Sequence, residues 1–402
     1  MIARSLYMDK IRPFIGHTEM VKVLTGLRRS GKSVMFQLIQ QELLSRGIAA
    51  EAILSYNFED MQQTEWKDAH SLHAHLKDRL DTLPGTKYLF LDEIQEVHQW
   101  EKCVNSLRVN SDVDIYVTGS NASMLAGEFA TYLAGRYVTI QLHPFSFREY
   151  CLATRQRYPD RTDEDCFRSY LKAGGMPFLH HLDTDEASRR QYLRDLFTSV
   201  VIKDILKRNA FRDVDLLERI IQYAMANVGT TFSANSVSRF LKSERRTVAP
   251  ETVMNYLKAC EEAFLLIRIP RQDLVGKRLL QIQEKYYLAD HGIREAVQGT
   301  NLRDIERVLE NIVCVELVRR GYAVMVGKVG EKEVDFVCEQ AGDRLYIQVA
   351  YLLASEETIA REFGAFDGIP DHYPRLVLSL DEFNMSRNGI RHRNLRDFLL
   401  EA

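Results

Sequence analysis

The stretch that decides the fold is Gly26-Leu27-Arg28-Arg29-Ser30-Gly31-Lys32-Ser33. It fits the pattern G-x-x-x-x-G-K-[ST], in which glycines let successive backbone N–H groups curl around a phosphate. An apolar run at residues 21–24 precedes it, and a helical pattern of apolar residues follows at 34–39. A helix that begins at the loop would add a favourable dipole. Strand, glycine loop and helix together predict a phosphate-binding loop, although a glycine turn alone can match the pattern by chance.

Most residues of this loop are expected to contact the nucleotide, and two have specific roles. Lys32 would reach the β- and γ-phosphates of a nucleotide, and Ser33 would hold Mg²⁺. The residues expected to contact the nucleotide are Gly26, Arg29, Ser30, Gly31, Lys32, Ser33 and, further along the chain, Ser120.

A short apolar strand pattern, residues 88–91, runs directly into Asp92 and Glu93. Two carboxylates at the end of such a strand are typical of the magnesium and water site of a P-loop ATPase. We expect Asp92 to bind Mg²⁺ and Glu93 to polarise the attacking water as general base. Because a buried strand can also end in a solvated acidic turn, this interpretation depends on the upstream loop. The second carboxylate favours hydrolysis over nucleotide storage alone.

Another strand pattern, residues 115–118, ends in Gly119-Ser120-Asn121. A polar side chain there can lie between the carboxylates and the terminal phosphate, so Ser120 or Asn121 is the candidate sensor, although a turn has a similar composition. Arg136 precedes a strand pattern at residues 137–142, and it is the candidate for neutralising phosphate charge, in cis or from a neighbouring subunit. A surface arginine paired with a carboxylate is the alternative. An arginine that acts across subunits would imply a homo-oligomer.

The composition excludes several classes of protein. The chain has 402 residues, 46% of them hydrophobic, and a formal net charge of only −3. The whole molecule is therefore not a polybasic nucleic-acid binder, although a local basic patch is compatible with this charge. The six cysteines are scattered without zinc-ligand spacing, which favours reduced thiols in a cytoplasmic protein. The chain lacks a run of about 18 apolar residues, so we expect no membrane span.

The first part of the chain alternates strand and helix patterns. This order predicts an α/β fold, a P-loop NTPase parallel sheet with helices on both faces and the ligand at the carboxyl ends of the strands. The predicted strands are residues 21–25, 50–57, 88–91, 115–118 and 137–142, and the predicted helices are 33–46, 71–82 and 100–109. From residue 146 to 210 the pattern is helical, and we interpret this segment as a lid and connector.

Residues 211–295 have the pattern of a winged helix, with three helices and then two short strands around Gly276. Between residues 236 and 285, ten Lys/Arg stand against six Asp/Glu, a net charge of +4. The basic residues that would contact DNA phosphates are Lys242, Arg245, Arg246, Lys258, Lys277 and Arg278. DNA binding and packing against protein remain open as alternatives for this module.

The last hundred residues have an α/β pattern with a helix at 304–320 and a hairpin after it. Alternation places Glu333 and Asp335 on one face of the first hairpin strand. In the same way, Gln348 and Ala350 share one face of the second strand.

Taken together, these motifs resemble those of the prokaryotic AAA-type ATPases that carry a DUF4143 C-terminal region. The residues that carry the resemblance are 26–33, 89–95, 118–120, Gly135-Arg136, 144–150, Gly174-Gly175-Met176-Pro177, 285–292 and 333–336. The resemblance spans nearly the whole chain. It implies ATP and Mg²⁺ as cofactors, ATP hydrolysis, and a C-terminal module similar to the PD-(D/E)XK nuclease fold.

The chain departs from an active nuclease of that type in one strand. Such nucleases use an acid and then, on the next strand, acid-x-lysine. Asp335 could supply the first acid, with Glu310 or Glu316 as a further ligand, but the next strand has Gln348 and Ala350. Without the lysine, the site lacks a positive group for the transition state. We therefore expect the module to be inactive as a nuclease.

The leading hypothesis is an ATPase whose nucleotide state repositions the C-terminal modules. A nucleotide-gated DNA-binding regulator with little turnover and an active metal-dependent nuclease are the alternatives. The predicted domains are a P-loop ATPase core at 1–145, a helical lid at 146–210, a winged helix at 211–295 and a small α/β restriction-endonuclease-like domain at 296–402.

Overall fold

The computed structural model describes residues 2–401 except 126–130, 183–184, 210, 212, 277 and 300–303, and at 62–64 and 278–282 it describes the backbone alone. The chain forms two compact units. One comprises residues 1–142 with 262–264, and the other comprises 143–261 and 265–402. The first unit ends close to the predicted limit of the ATPase core at residue 145, and the division into four domains remains a prediction.

The first unit is built on a parallel sheet with helices on both faces. Its strands are β1 (Val21–Thr25), β2 (Ile53–Asn57), β3 (Lys87–Asp92), β4 (Val113–Gly119) and β5 (Tyr137–Gln141). Its helices are α1 (Ser5–Ile11), α2 (Lys32–Ser45), α3 (Ala69–Asp81) and α4 (Trp100–Asn110). In the described residues the strands lie in the order β2-β3-β4-β1-β5, all parallel. The predicted alternation of strands and helices is therefore confirmed for this unit.

Alternating side chains divide each strand between two cores. In β3, Leu89 and Leu91 pack with residues of α3 and α4, whereas Tyr88 and Phe90 pack with residues of α1 and α2. Because helices cover both faces, apolar side chains point to both sides of the central strands, as in residues 88–91 of β3. The glycine loop follows β1, Glu93 follows β3 and Ser120 follows β4, and in a parallel sheet these carboxyl ends lie on the same side.

One ion pair lies inside this sheet. Lys22 of β1 contacts Asp114 of β4, and neither side chain is exposed. Lys22 Nζ also donates to the carbonyl oxygen of His17 at 2.6 Å. Asp114 Oδ2 accepts hydrogen bonds from the Gly16 N–H and the Tyr116 hydroxyl, both at 2.8 Å. The pair therefore fastens the segment before β1 to the interior of the sheet.

The second unit begins with the helices α5 (Phe147–Arg157), α6 (Asp163–Ala173) and α7 (Glu186–Ser199). Capping boxes start the first two, because Ser146 and Thr162 each exchange hydrogen bonds with an acidic residue three positions later. A π-helical segment, Val200–Leu206, follows α7 directly.

In its described residues up to Leu288, the segment predicted as a winged helix forms three helices and three strands. They are α8 (Val214–Ala226), β6 (Thr231–Phe232), α9 (Ala234–Ser243), α10 (Pro250–Glu262), β7 (Leu266–Asp273) and β8 (Arg278–Leu288). The hairpin of β7 and β8 does not stand alone, because β7 pairs in parallel with β9 (Ala323–Val329).

The remaining elements are helices and the other strands of a larger sheet. They are α11 (His291–Gln298), α12 (Ile305–Arg320), β10 (Lys332–Gln340), β11 (Asp343–Val349), α13 (Glu356–Gly364), β12 (Arg375–Ser379), β13 (Arg391–Asn394) and α14 (Leu395–Leu400). Among the described residues the strand order is β13-β12-β11-β10-β9-β7-β8-β6. One sheet thus crosses the predicted boundary between residues 295 and 296.

A turn after α6 is bound to the segment that begins α11. The Gly175 N–H donates to Asp290 Oδ2 at 2.7 Å, and His291 Nε2 hydrogen-bonds with the carbonyl oxygen of Tyr170 at 2.7 Å. A Cβ on Gly174 would lie 2.1 Å from Asp290 Oδ1, so the turn requires glycine there. Burial raises the pKa of Asp290 to about 6, although backbone N–H groups oppose the shift.

Across the described ranges, no helix combines the length and the apolar character that crossing a membrane would require.

Candidate active site

The loop between β1 and α2 has the unusual backbone that its glycines predict. Gly26 has a φ of 140° and Gly31 a φ of 100°, values that favour glycine. A Cβ on Gly26 would lie 2.2 Å from the carbonyl oxygen of Leu142, so a larger residue does not fit. Arg29 also has a positive φ, of 63°. The loop leads directly into the N-terminus of α2, where a bound anion is favoured.

Ser30 is held through both of its backbone polar groups. Its N–H donates to the carbonyl oxygen of Leu27 at 3.1 Å. Its carbonyl oxygen accepts a hydrogen bond from Arg4 Nη1 at 2.9 Å, and Arg4 is only 2% exposed. Sequence reasoning missed Arg4, because 26 residues separate it from Ser30 and no motif contains it.

The Lys32 side chain folds over the loop. Its Nζ donates to the carbonyl oxygens of Gly26 at 3.2 Å and Leu27 at 3.4 Å. The same Nζ lies 3.4 Å from Glu93 Oε1, and the residue is 4% exposed. The ammonium group therefore lies between the loop and the acidic end of β3.

Asp92, the last residue of β3, contacts two hydroxyl groups. Ser33 and Thr118 both hydrogen-bond to its carboxylate. Burial raises the pKa of Asp92, and these hydrogen bonds oppose the shift. Thr118 Oγ1 also accepts the Glu93 N–H at 2.8 Å. The two residues predicted to bind Mg²⁺, Ser33 and Asp92, are therefore in contact.

The Glu93 carboxylate has partners on both oxygens. Lys32 faces Oε1, and the side-chain amide of Gln95 donates to Oε2. Ser120 also hydrogen-bonds to this carboxylate. Burial acts to raise the pKa of Glu93, but the Lys32 charge and the Gln95 hydrogen bond outweigh it, so the pKa lies below its ordinary value. Glu93 is therefore ionised at neutral pH.

The polar residues at the end of β4 divide into two groups. Ser120 reaches Glu93, as a sensor residue would, whereas Asn121 Oδ1 accepts the Ser123 N–H at 2.7 Å and caps the turn that follows it. Thr118, which was not proposed as a sensor, bridges the two carboxylate residues. Its position could have been inferred, because it is the last side chain of a strand next to β3.

Arg136 lies at the amino ends of the strands, whereas the loop lies at their carboxyl ends. Tyr137 pairs with Val21 and Gln141 with Thr25, so the amino ends of β1 and β5 coincide. Four residue steps along a strand separate these ends from the loop by about 13 Å. The expectation that Arg136 lies near the nucleotide edge within one chain is therefore wrong, and its action across subunits remains a prediction.

The groups at this edge fit a nucleotide with a divalent cation. Mg²⁺ prefers oxygen ligands and is usually bound through one or two protein groups together with substrate phosphates. The Ser33 hydroxyl and the Asp92 carboxylate supply such oxygens, and Lys32 supplies a cation for the phosphates. Within the described residues, no group of three or more His, Cys, Asp or Glu side chains could hold a metal by itself.

The basic residues of the predicted winged helix are only partly available. Those on the surface are Lys242, Arg245 and Lys258. Arg246 is instead engaged with Asp215, at 2.7 Å. Lys277 lies outside the described residues, and only the backbone of Arg278 is described.

A buried lysine lies at the centre of the predicted nuclease site. Lys285 Nζ is 2.8 Å from Glu310 Oε1, 2.9 Å from Glu333 Oε1 and 3.7 Å from Asp335 Oδ1, and its side chain is 3% exposed. Burial acts to lower the pKa of Lys285, but these carboxylates outweigh it and raise the pKa above its ordinary value. Because the ammonium group occupies the centre of the carboxylates, the cluster does not fit a metal ion.

The other predicted nuclease residues have structural partners. Gln348 Oε1 accepts the Asp335 N–H at 3.1 Å, and Asp335 Oδ2 accepts the Val349 N–H at 2.9 Å. Glu316, one of the two candidate ligands on α12, instead forms a buried ion pair with Arg319.

Relatives of this chain have been recognised in bacteria and archaea. An uncharacterized protein of Haemophilus influenzae is 35% identical over 402 residues, which cover 100% of this chain and 99% of that protein. The chain belongs to the family of this protein. A further relative is the uncharacterized protein MJ1544 of Methanocaldococcus jannaschii. It is 27% identical over 378 residues, which cover 91% of this chain and 81% of that protein.

Two family models match the chain. A model described as an AAA domain matches residues 18–151, and one described as a domain of unknown function, DUF8612, matches residues 164–304. The AAA domain contains the loop, the two carboxylates and Ser120. Over residues 164–304 the matching model is DUF8612 instead of the expected DUF4143, and the nuclease-like module of the last hundred residues remains a prediction.

The fold resembles that of a solved P-loop protein. The Walker-type ATPase PABY2304 of Pyrococcus abyssi superposes with a TM-score of 0.51 at 12% sequence identity, covering 74% of this chain and 96% of that chain. At this identity the likeness shows the fold alone. It agrees with the parallel sheet and flanking helices of the first unit.

Proposed function

We propose that this protein binds ATP with Mg²⁺ and hydrolyses it at the loop between β1 and α2. The observation that carries the proposal is the approach of Lys32 Nζ to within 3.4 Å of Glu93 Oε1, beside Asp92. Hydrolysis requires a cation for the phosphates and a base for the attacking water in one place. The family resemblance favours ATP over GTP.

In this proposal, the bound phosphates replace Glu93 as the partner of the Lys32 ammonium group. Lys32 is the cation that lowers the pKa of Glu93 most. When its ammonium group turns to a phosphate, Glu93 loses that stabilisation and becomes a stronger base. The arrival of substrate therefore prepares Glu93 to accept a proton from the attacking water.

Ser33 and Asp92 would hold Mg²⁺, which supplies positive charge to the phosphate oxygens. Thr118 fixes the Asp92 side chain relative to the Glu93 backbone, because its hydroxyl donates a hydrogen bond to the Asp92 carboxylate and accepts one from the Glu93 N–H. Ser120 contacts Glu93 from the end of the neighbouring strand and would report the position of its carboxylate.

The test is a steady-state ATPase assay with parallel measurement of ATP binding. Lys32→Ala should lose binding or turnover, whereas Glu93→Gln should bind ATP but turn over about 10²–10⁴-fold more slowly. Lys77→Ala is the matched control, because Lys77 is a partly exposed lysine of α3 that forms an ion pair with Asp81 one turn later on the same helix. A Lys32→Ala protein that hydrolyses ATP at the wild-type rate would refute the proposal.

We also propose that Arg136 acts on a neighbouring copy in a homo-oligomer. Its support is its place at the sheet edge away from its own loop, where it is exposed. Mixing inactive Arg136→Ala subunits with inactive Glu93→Gln subunits should restore part of the activity. An Arg136→Ala protein with wild-type turnover would exclude this role.

DNA binding by the predicted winged helix is a second candidate function. It is favoured by the exposed row of Met254, Asn255 and Lys258 on α10 and by Lys242 and Arg245, which are also exposed. Fluorescent DNA should bind more weakly as salt rises, and replacement of Lys242 and Arg245 by alanine should reduce the salt dependence. If no salt-dependent binding occurs with or without ATP, this candidate fails.

Nuclease activity is disfavoured by the position of Lys285. Its ammonium group neutralises the cluster in which a metal ion would have to bind. We therefore expect no Mg²⁺-dependent cleavage of DNA. Cleavage that Asp335→Ala abolishes would contradict this expectation.

A further inference from the structure

Arg4 is a charged side chain buried beside the phosphate-binding loop. It immediately precedes α1 and is 2% exposed. Its Nη1 donates to the carbonyl oxygen of Ser30 at 2.9 Å, and its guanidinium carbon lies 4.5 Å from the centre of the Tyr7 ring. A buried charged side chain is costly unless it is hydrogen-bonded or paired, and the bond to Ser30 is one of the contacts that Arg4 makes.

The hydrogen bond fixes the direction of one peptide group in the loop. The peptide between Ser30 and Gly31 is trans, so the Ser30 carbonyl and the Gly31 N–H point in opposite directions. With the carbonyl directed at Arg4, the Gly31 N–H must point away from Arg4. Among the described residues, this N–H donates to no other group.

Gly31 is the residue at which the loop becomes a helix. It is the N-cap of α2, and its φ of 100° leaves it outside the helical region. N–H groups at such a position are the donors that bind anions. A charged donor on the Ser30 carbonyl also polarises the peptide, which strengthens the Gly31 N–H as a donor.

We propose that Arg4 is a positioning residue for phosphate binding: it holds the Ser30–Gly31 peptide so that the Gly31 N–H is presented to the phosphates. The proposal rests on the proposed nucleotide-binding function and adds a residue from outside the motif. Arg4 does not touch the nucleotide. It acts on the loop before the ligand arrives, so its loss affects affinity for any ligand that binds through phosphates there.

Titration calorimetry with ADP and with inorganic pyrophosphate tests the proposal on the full-length protein. Arg4→Ala should weaken both ligands about tenfold, the loss expected for one charge-assisted hydrogen bond. Arg4→Lys, which keeps a charged donor, should recover part of the affinity. Equal effects on both ligands are expected, because pyrophosphate has no base or sugar.

Met8→Ala is the matched control for a merely structural role. Met8 lies on the same helix, is 5% exposed and packs in the core with Tyr7 and residues of α2. Met8→Ala should lower the melting temperature without changing the affinity for ADP or for pyrophosphate. If Met8→Ala and Arg4→Ala weaken the ligands equally at equal loss of thermal stability, or if Arg4→Ala binds as wild type does, the proposal is overturned.

Three further outcomes complete the test, and the last two separate this proposal from the function on which it rests. If Arg4→Ala does not fold, Arg4→Lys and Arg4→Gln are compared instead, and wild-type affinity in both overturns the proposal. If wild-type protein binds ADP in a Lys32-dependent manner but Arg4 variants bind equally well, only the role of Arg4 fails. If wild-type protein binds neither ligand, the nucleotide-binding function fails and the role of Arg4 fails with it.

Discussion

Replacing Lys22 by methionine should strongly destabilise the first unit, because Asp114 would remain as a buried carboxylate without its cation. Neither side chain is exposed. Removing one partner of a buried ion pair costs about 3–5 kcal/mol. Asp114 would keep its hydrogen bonds from the Gly16 N–H and the Tyr116 hydroxyl, so we expect the lower end of that range. A loss of about 3 kcal/mol corresponds to a fall of about 10 °C in melting temperature for a unit of this size.

Denaturant and thermal unfolding of four proteins would measure this effect. They are the wild type, Lys22→Met, Asp114→Asn and the double variant. Because the double variant removes both charges, it should be less destabilised than the sum of the single variants, with a coupling energy of about 2 kcal/mol. Lys77→Met, at a partly exposed ion pair, should change the free energy of unfolding by less than about 0.5 kcal/mol. If Lys22→Met behaves like Lys77→Met, the reasoning is refuted.

Three other predictions concern charged groups. Gln95→Ala should shift the acidic limb of the ATPase pH profile to higher pH, because the Gln95 hydrogen bond lowers the pKa of Glu93, and an unmoved limb would contradict this. Lys285→Met should lower the free energy of unfolding by about 3–5 kcal/mol, whereas Lys332→Met, at an exposed ion pair with Asp367, should change it little in the same denaturant titration. The pKa of Asp290 is raised from 3.8 to about 6, so its stabilising contribution is fully present below the lower value and is lost as pH rises through the higher one. The stability of wild type relative to Asp290→Asn should therefore fall from about pH 4 to about pH 6 and then level off, and a pH-independent difference would show that Asp290 does not titrate in this way.

Much of the first unit follows from local sequence patterns. A buried parallel strand is a short apolar run, and a loop that binds phosphate needs glycines at fixed spacing, so β1, β3 and the loop between β1 and α2 could be placed directly. Ser33, Asp92 and Glu93 come together because each stands at the carboxyl end of a strand or the start of a helix. Strand direction alone determines that edge.

The error at Arg136 has the same physical basis. A residue before a strand lies at its amino end, so in a parallel sheet it belongs to the edge opposite the site. Direction could therefore have excluded Arg136 from its own nucleotide site. The prediction instead relied on sequence proximity to a strand of the correct sheet.

Arg4, Gln95 and Lys285 were missed for a different reason. Their roles depend on where a long side chain ends, and no pattern in the sequence encodes that. Lys285 meets Glu310 only because the hairpin of β7 and β8 packs beside α12. The sequence therefore predicted that Ala350 stands where such a nuclease has its lysine. It did not predict that Lys285 of β8 lies among the carboxylates.

The pairing of β7 with β9 has a mechanical consequence. Arg271 lies opposite Val326 and Asp273 opposite Lys328 in this parallel pair, and the Leu274 N–H donates to the carbonyl oxygen of Lys328 at 2.9 Å. The hairpin of β7 and β8 therefore cannot move without β9. A chain that stops after residue 295 would leave β7 with an unprotected flank of donors and acceptors, a template for self-association. Any nucleotide-driven rearrangement must therefore move the hairpin of β7 and β8 together with the C-terminal strands from β9 onward.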